Sequence, residues 1–172
     1  EPSADATATA SADPAWVAAT AAKAGIPVVA MRAYADAQLA SPAGCGLGWT
    51  TLAGIGWVES QHGTLDGRTL GEDGVPSAPI TGIPLGELDR AYGPLQFIPS
   101  TWSTWGADAD GDGRADPQDI DDAALAAARY LCASGPLTTA SAWSAAIFSY
   151  NHSAEYVTQV YAAAQAYAER TG

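Results

Sequence analysis

The 22 residues from Ala37 to Val58 carry no charged side chain, and this stretch constrains the fold more than any other segment. Pro42 and several glycines interrupt it, so it cannot form one continuous apolar helix that spans a bilayer. Thr50 or Thr51 is instead placed to cap a helix with apolar residues on one side. This helix is predicted to end close to Glu59.

Glu59 is the first charged residue after the uncharged stretch. A carboxyl at the end of an apolar helix loses hydration, which raises its pKa toward the range that a general acid needs near neutral pH. The alternative is a helix-end glutamate that hydrogen-bonds to its own turn. Position alone favours neither interpretation.

The charge balance limits the partners of this chain. Nineteen acidic and seven basic residues give a net charge of -12. This balance argues against nucleic acid, whose phosphates require a basic surface, and against electrostatic binding to anionic lipid. A neutral or amide-rich substrate fits the charge better.

Helical spacing accounts for most of the chain. With 172 residues, of which 48% are hydrophobic, the sequence is sufficient for one domain with its own core. We predict a mainly α domain, with at most a small β-sheet, over residues 14–172. The expected helices are two within Pro14–Leu39, the one before Glu59, a short one capped by Ser100 from Thr101, Ile120–Leu131, Ala140–Tyr150 and Ala154–Tyr167.

Two segments lack helical periodicity. Residues 1–13 are small, polar and of low complexity, which predicts a disordered linker cut free of an export signal or a membrane anchor. Thr64–Asp89 is rich in glycine and proline and is interpreted as an ordered loop or a short hairpin. A loop of this length in a compact domain is often functional.

The chain has two cysteines, Cys45 and Cys132. An exported domain with an even number of cysteines usually pairs them, and the linker-like N-terminus favours export. The alternative is a pair of buried free thiols in a cytosolic protein. We predict a disulfide.

The segment Asp108–Asp119 has the spacing of a calcium-binding loop. Carboxylates alternate along it, and Gly113 falls where such loops turn sharply. The alternative is a solvated acidic loop, but its carboxylates would then repel one another. The predicted ligands of a structural Ca²⁺ are Asp108, Asp110, Asp112, the Arg114 carbonyl, Asp116 and Asp119.

Two further segments concentrate polar groups among apolar ones. Gln96 lies in Ala91–Trp102 between Leu95 and Phe97, so its amide is satisfied either by backbone or by an N-acetyl group of a sugar. The segment Phe148–Tyr156 gathers phenols, an amide and hydroxyls at a helix junction. It is either a helix cap with a packed tyrosine or part of a carbohydrate site.

Taken together, these motifs resemble the lytic murein transglycosylases, in particular the membrane-bound transglycosylase B type and its short secreted actinobacterial relatives. The resemblance covers roughly Leu47–Ala163. It implies a lysozyme-like, mainly helical fold with a substrate groove and an embedded EF-hand-like calcium loop. The motifs that carry it, in order, are Glu59–Gly63, Gly93–Trp102, Asp108–Asp119, Asp122–Leu131 and Tyr150–Ser153.

The resemblance also implies a reaction. The family cleaves the β-1,4 bond between N-acetylmuramic acid and N-acetylglucosamine in peptidoglycan and leaves a 1,6-anhydro end. Glu59 corresponds to its single catalytic acid, which then acts as the base, and calcium takes no part in the chemistry. Ser60 is expected to orient Glu59. The implied substrate-binding residues are Ser60, Tyr92, Gln96, Phe97, Tyr150, Asn151, Ser153 and Tyr156.

Two other functions stay open at this stage. If a carboxylate of the Thr64–Asp89 loop (Asp66, Glu72, Asp73, Glu87 or Asp89) lies opposite Glu59, the chain is a muramidase that uses water. Alternatively, it is a non-catalytic, calcium-stabilised module that binds the cell wall. In each case we expect a monomer outside the cytoplasm, either secreted or tethered to the cell envelope through its N-terminus, without membrane insertion of these residues.

Overall fold

Helix α3 (Trp49–Ser60) lies against three other helices and packs most extensively against α7 (Ala154–Thr171). The computed structural model describes residues 11–82 and 90–172. The remaining helices are α1 (Pro14–Ala24), α2 (Val28–Ala40), α4 (Pro99–Trp105), α5 (Ile120–Cys132) and α6 (Ala140–Tyr150), with a short 3₁₀ turn at Leu65–Gly67.

The predicted mainly helical architecture is confirmed for the described residues. Two predicted caps are wrong, because Gly48 and not a threonine precedes α3, and Ile98 precedes α4. Pro99 occupies the first turn of α4, where its missing N–H costs no hydrogen bond. Within the described ranges, extended pairing is limited to isolated bridges, at Leu70–Pro76, Thr81–Tyr92 and Tyr92–Phe97.

Two glycines of α3, within the uncharged stretch, lie directly against neighbouring helices. A Cβ on Gly54 would lie 2.8 Å from the Val160 carbonyl oxygen of α7. A Cβ on Gly56 would overlap the Tyr34 hydroxyl of α2. Because α3 is held this closely between α2 and α7, larger or charged side chains have no space on these faces.

A disulfide joins Cys45, in the connection after α2, to Cys132 at the end of α5, which confirms the predicted pairing. The Cys45 carbonyl also accepts a 2.7 Å hydrogen bond from the Leu137 N–H. The bridge closes a loop with a sequence separation of 87 residues. In the chain-entropy picture a loop of this length stabilises the fold by about 4 kcal/mol.

The described N-terminal residues contact the domain. The Ala12 N–H donates to the Asp36 carboxylate at 2.7 Å, and the Asp13 side chain caps α1. Residues 1–10 of the predicted linker lie outside the described residues. Among the helices described, none alone has the length and apolarity to cross a membrane, whereas α1 and α2 pass that test only as a pair bent by 118°.

Candidate active site

Glu59 is the penultimate residue of α3 and lies between two cavities. Burial raises the pKa of its carboxyl to about 7, and the nearby Tyr156 hydroxyl opposes this shift. The group is therefore partly protonated at neutral pH. Among the described residues, Glu59 is the one carboxylate that lines either cavity.

Tyr156 on α7 places a buried hydroxyl next to Glu59. This oxygen has no hydrogen-bond partner of good geometry among the described residues. Burial and the Glu59 carboxylate raise the pKa of Tyr156, so the phenol stays protonated. Its ring stacks parallel to that of Tyr150, with centroids 6.4 Å apart. A small movement of the Glu59 carboxyl would thus allow the Tyr156 hydroxyl to donate a hydrogen bond to it.

The first cavity beside Glu59, which we call the Gln96 cavity, has a volume of about 460 Å³. It brings together Glu59 with four of the predicted substrate-binding residues. It also contains residues that were not predicted to bind substrate, chiefly Tyr130 and His152. The lining residues are Glu59, Gly82, Ala91, Gln96, Phe97, Ile98, Thr101, Tyr130, Ser149, Tyr150, Asn151 and His152.

Gln96 has a left-handed backbone, with φ of 54°, at the tip of the turn that follows Gly93. Its side-chain amide donates to the Gly93 carbonyl at 2.9 Å, so backbone satisfies one of its hydrogens. The side-chain oxygen lies so close to Gly82 that a Cβ there would overlap it. A backbone carbonyl therefore satisfies part of the Gln96 amide, which is one of the two interpretations that the sequence offered. The side chain also lines the cavity.

Aromatic side chains hold the Gln96 turn in position. The Tyr150 hydroxyl donates to the Leu95 carbonyl at 2.6 Å. The Phe97 ring contacts Tyr150 and Trp102 edge-on, with centroid distances of 5.8 and 5.1 Å. Tyr130 in turn hydrogen-bonds to Ser149. Phe97, Tyr150 and Tyr130 thus form a continuous aromatic cluster in the cavity wall, contributed by the Gln96 turn, α6 and α5.

Three predicted substrate-binding residues make contacts within the protein. Ser60 is fully buried, donates to the Pro94 carbonyl at 2.6 Å and accepts from the Gly63 N–H at 2.8 Å. Tyr92 forms the backbone bridges next to the Gln96 turn, and Ser153 caps α7. Neither Ser60, Tyr92 nor Ser153 lines the Gln96 cavity.

The turn after Glu59 is fixed by His62, which is 2% exposed. Its Nδ1 lies 2.8 Å from the Tyr34 hydroxyl and its Nε2 lies 2.7 Å from the Tyr167 hydroxyl. Burial lowers the pKa of His62 to about 4. This neutral imidazole joins the end of α3 to α2 and α7, and Gln61 and His62 both adopt positive φ to allow it.

In the acidic loop, three carboxylates converge within 4.8 Å of one another, those of Asp108, Asp110 and Asp122. Asp122 is fully buried and accepts from the N–H groups of Ala109 and Asp116, so it joins the two ends of the loop. The sequence did not identify Asp122 as a ligand. It is the third residue of α5 and faces back toward the loop.

Asp112, Asp116 and Asp119 are not members of this group of three, although the Asp119 carboxyl contacts that of Asp110. Asp119 caps α5 by accepting from the Asp121 N–H at 2.8 Å. Asp112 and Asp116 accept from the backbone N–H groups of Arg114 and Gln118. None of these three carboxylates belongs to the convergent group among the described residues.

The acidic loop contacts the Gln96 turn directly. A Cβ on Gly93 would overlap the Pro117 carbonyl oxygen, and Gly93 has φ of 82°. The Gln118 side chain hydrogen-bonds to both the N–H and the carbonyl of Ile80, each at 2.9 Å. The Ile80 carbonyl also accepts from the Gly93 N–H. The loop geometry therefore affects where Gln96 lies.

The described acidic residues of the Thr64–Asp89 loop do not line either cavity at Glu59. Asp66 is exposed and faces Arg68 at 3.7 Å. Glu72 and Asp73 line a separate cavity with Arg32 and Asp36. Glu87 and Asp89 lie outside the described residues.

Comparison with known proteins gives one match. Residues 84–144 match the family model of the transglycosylase SLT domain. The match includes Gln96 and the acidic loop, and it begins after Glu59 and ends before Tyr150. No curated protein and no solved structure matches the chain. The match supports the relation to lytic transglycosylases in general, whereas the membrane-bound B type stays a prediction.

Proposed function

We propose that this protein is a peptidoglycan lytic transglycosylase in which Glu59 is the catalytic acid and base. The observation that carries the proposal is a lone carboxyl with a pKa raised to about 7 at the junction of two cavities. The transglycosylase SLT match supports the same reaction class.

The reaction requires one carboxyl. Protonated Glu59 gives its proton to the glycosidic oxygen as the bond to C1 of N-acetylmuramic acid breaks. The substrate's own N-acetyl group stabilises the positive charge at C1, in place of a second carboxylate. The Glu59 carboxylate then takes the proton of the muramic 6-hydroxyl, whose oxygen bonds to C1. The proton returns to Glu59, and no water is consumed.

Tyr156 is placed to stabilise the ionised form of Glu59, and Gln96 is placed to bind the N-acetyl group of the substrate. When Glu59 becomes a carboxylate, the Tyr156 hydroxyl beside it supplies a hydrogen bond that the protonated acid does not need. Gln96 and Asn151 present amides in the cavity, where an N-acetyl group requires donors and acceptors. Tyr150 holds the backbone on which Gln96 depends.

A muramidase that uses water is the second candidate. It requires a second carboxylate to activate the water or to bind C1. Asp66, Glu72 and Asp73 do not line the cavities at Glu59, so this function depends on Glu87 or Asp89. The third candidate, a wall-binding module without turnover, has no use for an acid with a pKa near 7.

The acidic loop is proposed to bind a structural Ca²⁺. Asp108, Asp110 and Asp122 provide the hard oxygen ligands that this ion prefers, and their carboxylates already converge. We include Asp122 in the proposed set, together with the Asp112 carboxylate and the Arg114 carbonyl from the spacing. Such an ion would fix the loop against the Gln96 turn. With peptidoglycan as the proposed substrate, we propose that the protein acts outside the cytoplasm.

The test is digestion of purified peptidoglycan in ¹⁸O-labelled water, followed by mass analysis of the muropeptides. We expect anhydro ends, which are one water lighter than hydrolysed ends and carry no ¹⁸O. Labelled reducing ends would instead establish the muramidase. Glu59→Gln serves as the matched control, and products that persist with this variant would assign the acid to another residue.

A further inference from the structure

A separate cavity lies between the first turn of α3, the first turn of α6 and the second half of α7, and has a volume of about 370 Å³. We call it the Trp143 cavity. Among the described residues, it shares no lining residue with either cavity at Glu59. Thr50, which lines it, precedes Glu59 on α3 by nine positions, a distance of about 13 Å along the helix axis. The Trp143 cavity is therefore distinct from the place where the glycan would be cut.

We propose that the Trp143 cavity is a second carbohydrate site, which holds a sugar ring of the wall glycan while another stretch of glycan lies at Glu59. The inference rests on the proposed function only for the identity of the polymer. The side chains of the cavity indicate an uncharged sugar by themselves, through their aromatic rings, their available hydroxyl and amide groups and their lack of charge.

Trp143 and Tyr161 supply the apolar contact. Their ring centroids are 6.0 Å apart and their planes meet at 78°. The Trp143 indole is held in place by its N–H, which donates to the Thr51 hydroxyl at 3.0 Å. Tyr161 is 57% exposed, more than any other large hydrophobic residue described. Because a pyranose presents apolar C–H groups on one face, exposed aromatic rings in a cavity wall offer it a matching surface.

Hydroxyl and amide groups surround these two rings. Thr50, Thr138, Ser144 and Gln165 line the cavity, and their side chains form no hydrogen bond to other described residues. Each hydroxyl can donate and accept, and the Gln165 amide offers two donors and an acceptor. Sugar hydroxyls and acetamido groups require this mixture of donors and acceptors.

The rim of the cavity is held in place by the rest of the fold. The Leu137 N–H donates to the Cys45 carbonyl at 2.7 Å, and Cys45 is joined to Cys132 by the disulfide. A Cβ on Gly46 would lie 2.9 Å from the Thr138 methyl group, so these two segments are in close contact. A site that is already formed loses less conformational entropy when a ligand binds.

The lack of charge in the cavity favours a sugar over other components of the cell wall. Among the described residues, none that lines the Trp143 cavity carries a charge, whereas the whole chain has a net charge of -12. Peptide stems and anionic wall polymers carry carboxylates or phosphates, which would approach this acidic protein without a cationic partner. An uncharged sugar ring avoids this cost.

The experiment is an NMR titration of the Glu59→Gln variant, so that the ligand is not cut. The probe is a tetrasaccharide of the wall glycan without peptide stems. The Trp143 indole N–H reports on the Trp143 cavity, and the Asn151 side-chain amide reports on the Gln96 cavity. Both signals should shift, each with its own affinity. Adding Tyr161→Ala should weaken the affinity measured at Trp143 about tenfold and leave the affinity measured at Asn151 unchanged.

The control is Trp16→Ala, because Trp16 is another half-exposed aromatic residue, at 44%, and lines a different cavity. It should leave both affinities unchanged. A Trp143 signal that does not shift overturns the proposal, whether or not Asn151 responds. An affinity at Trp143 that Tyr161→Ala leaves unchanged also overturns it. A Trp143 shift seen only with stem-bearing glycan does the same, because the ligand is then the peptide.

Turnover by the parent enzyme separates this inference from the proposed function. Tyr161→Ala should slow the release of anhydro products from whole sacculi several-fold and leave cleavage of the tetrasaccharide unchanged, because a second site increases the local concentration only of a long polymer. An equal loss on both substrates would mean that Tyr161 acts through the cutting site or the fold, which overturns the proposal. If the parent forms no anhydro product, the proposed function fails, and the titration still decides whether the Trp143 cavity binds sugar.

Discussion

The Ser60 hydroxyl donates a 2.6 Å hydrogen bond to the Pro94 carbonyl. This bond joins the residue after Glu59 to the turn that presents Gln96, although the two segments are 34 positions apart in the chain. The same hydroxyl accepts from the Gly63 N–H and so closes the turn after α3. Ser60 therefore sets the separation between the acid and the facing amide.

Replacement of Ser60 by alanine should lower both stability and activity. The Pro94 carbonyl and the Gly63 N–H would lose a buried partner, which costs about 1–3 kcal/mol of unfolding free energy. Denaturant unfolding measures that loss, and turnover of peptidoglycan should fall because Gln96 and Glu59 are no longer held together. Thr104→Ala, on the exposed side of α4, is the control. Equal stability of Ser60→Ala and wild type would contradict this role.

Activity should depend on the protonation of Glu59. Because the folded pKa is about 7, the acid form decreases as the pH rises through 7, and turnover should fall with it. The pKa of Glu59 in the folded protein is above the ordinary value of 4.5, so the unfolded chain releases this proton more readily. The ionised Glu59 carboxyl therefore destabilises the fold at high pH.

The same linkage gives a stability test that does not require substrate. Relative to wild type, Glu59→Gln should raise the melting temperature more at pH 8, where it removes a buried charge, than at pH 4.5. Thermal melts of both proteins at the two pH values measure this difference. The same change in melting temperature at both values would argue against a raised pKa.

Much of the fold is readable from the sequence because its signals are local. Helical periodicity and alanine content predict the helices, and the two cysteines predict the disulfide. The caps of α3 and α4 were wrong because hydroxyl residues are common at helix starts. The residue at which a helix starts also depends on how the preceding chain approaches the helix. Here Gly48 precedes α3, and Ile98 precedes Pro99, the first residue of α4.

The site is less readable, because it depends on contacts between distant segments. Gln96, Phe97, Tyr150 and Asn151 were predicted and lie around the same cavity. Ser60 was predicted to orient Glu59 and to contact the substrate, whereas in the structure its hydroxyl is buried and bonds to the backbone at Pro94 and Gly63. Asp122 lies next to the loop carboxylates because the start of α5 packs against the loop. The spacing of residues within the loop alone does not predict this contact.

Gly82→Ala should impair the site with little effect on stability. The added Cβ would overlap the side-chain oxygen of Gln96, which is the far end of a flexible side chain, so we expect the amide to move and the backbone to stay. We expect KM for glycan to rise about tenfold, as for one lost polar contact, with a nearly unchanged melting temperature.

A double-mutant cycle isolates the effect of Gly82. In a Gln96→Ala background, Gly82→Ala should cause no further loss, because the displaced amide is absent. Gly48→Ala is the control, since a Cβ there would make only an ordinary 3.5 Å contact. Additive effects of Gly82→Ala and Gln96→Ala would show that Gly82 acts by another route.

His62 should make the fold sensitive to acid. Its folded pKa of about 4 lies below the ordinary 6.5, so the unfolded chain binds the proton more readily. The neutral imidazole therefore stabilises the fold above pH 6.5, and this contribution is lost as the pH falls through 4. The full loss is about 3 kcal/mol. Comparing denaturant unfolding of wild type and His62→Gln between pH 7 and 4 should show a smaller pH dependence in the variant. His152→Gln, at an exposed histidine, should behave like wild type.

Calcium should stabilise the domain through the acidic loop. A cation that binds only the folded state raises the melting temperature with its concentration, and a chelator should reverse the shift. Magnesium should be less effective, because it requires a tighter octahedral set of oxygens. KM for glycan should rise in chelator, since the Pro117 carbonyl lies against Gly93 in the turn that presents Gln96.

Two variants distinguish the possible ligand sets. Asp122→Asn should reduce the shift in melting temperature that calcium causes, because this carboxylate belongs to the convergent group. Asp119→Ala should lower the melting temperature with or without the ion, because the N-cap of α5 loses its hydrogen-bond acceptor, and keep the calcium shift. Asp66→Asn, in an exposed turn, is the neutral control. A calcium shift lost with Asp119→Ala and kept with Asp122→Asn would restore the ligand set predicted from spacing, because the metal would then require the loop to close at Asp119.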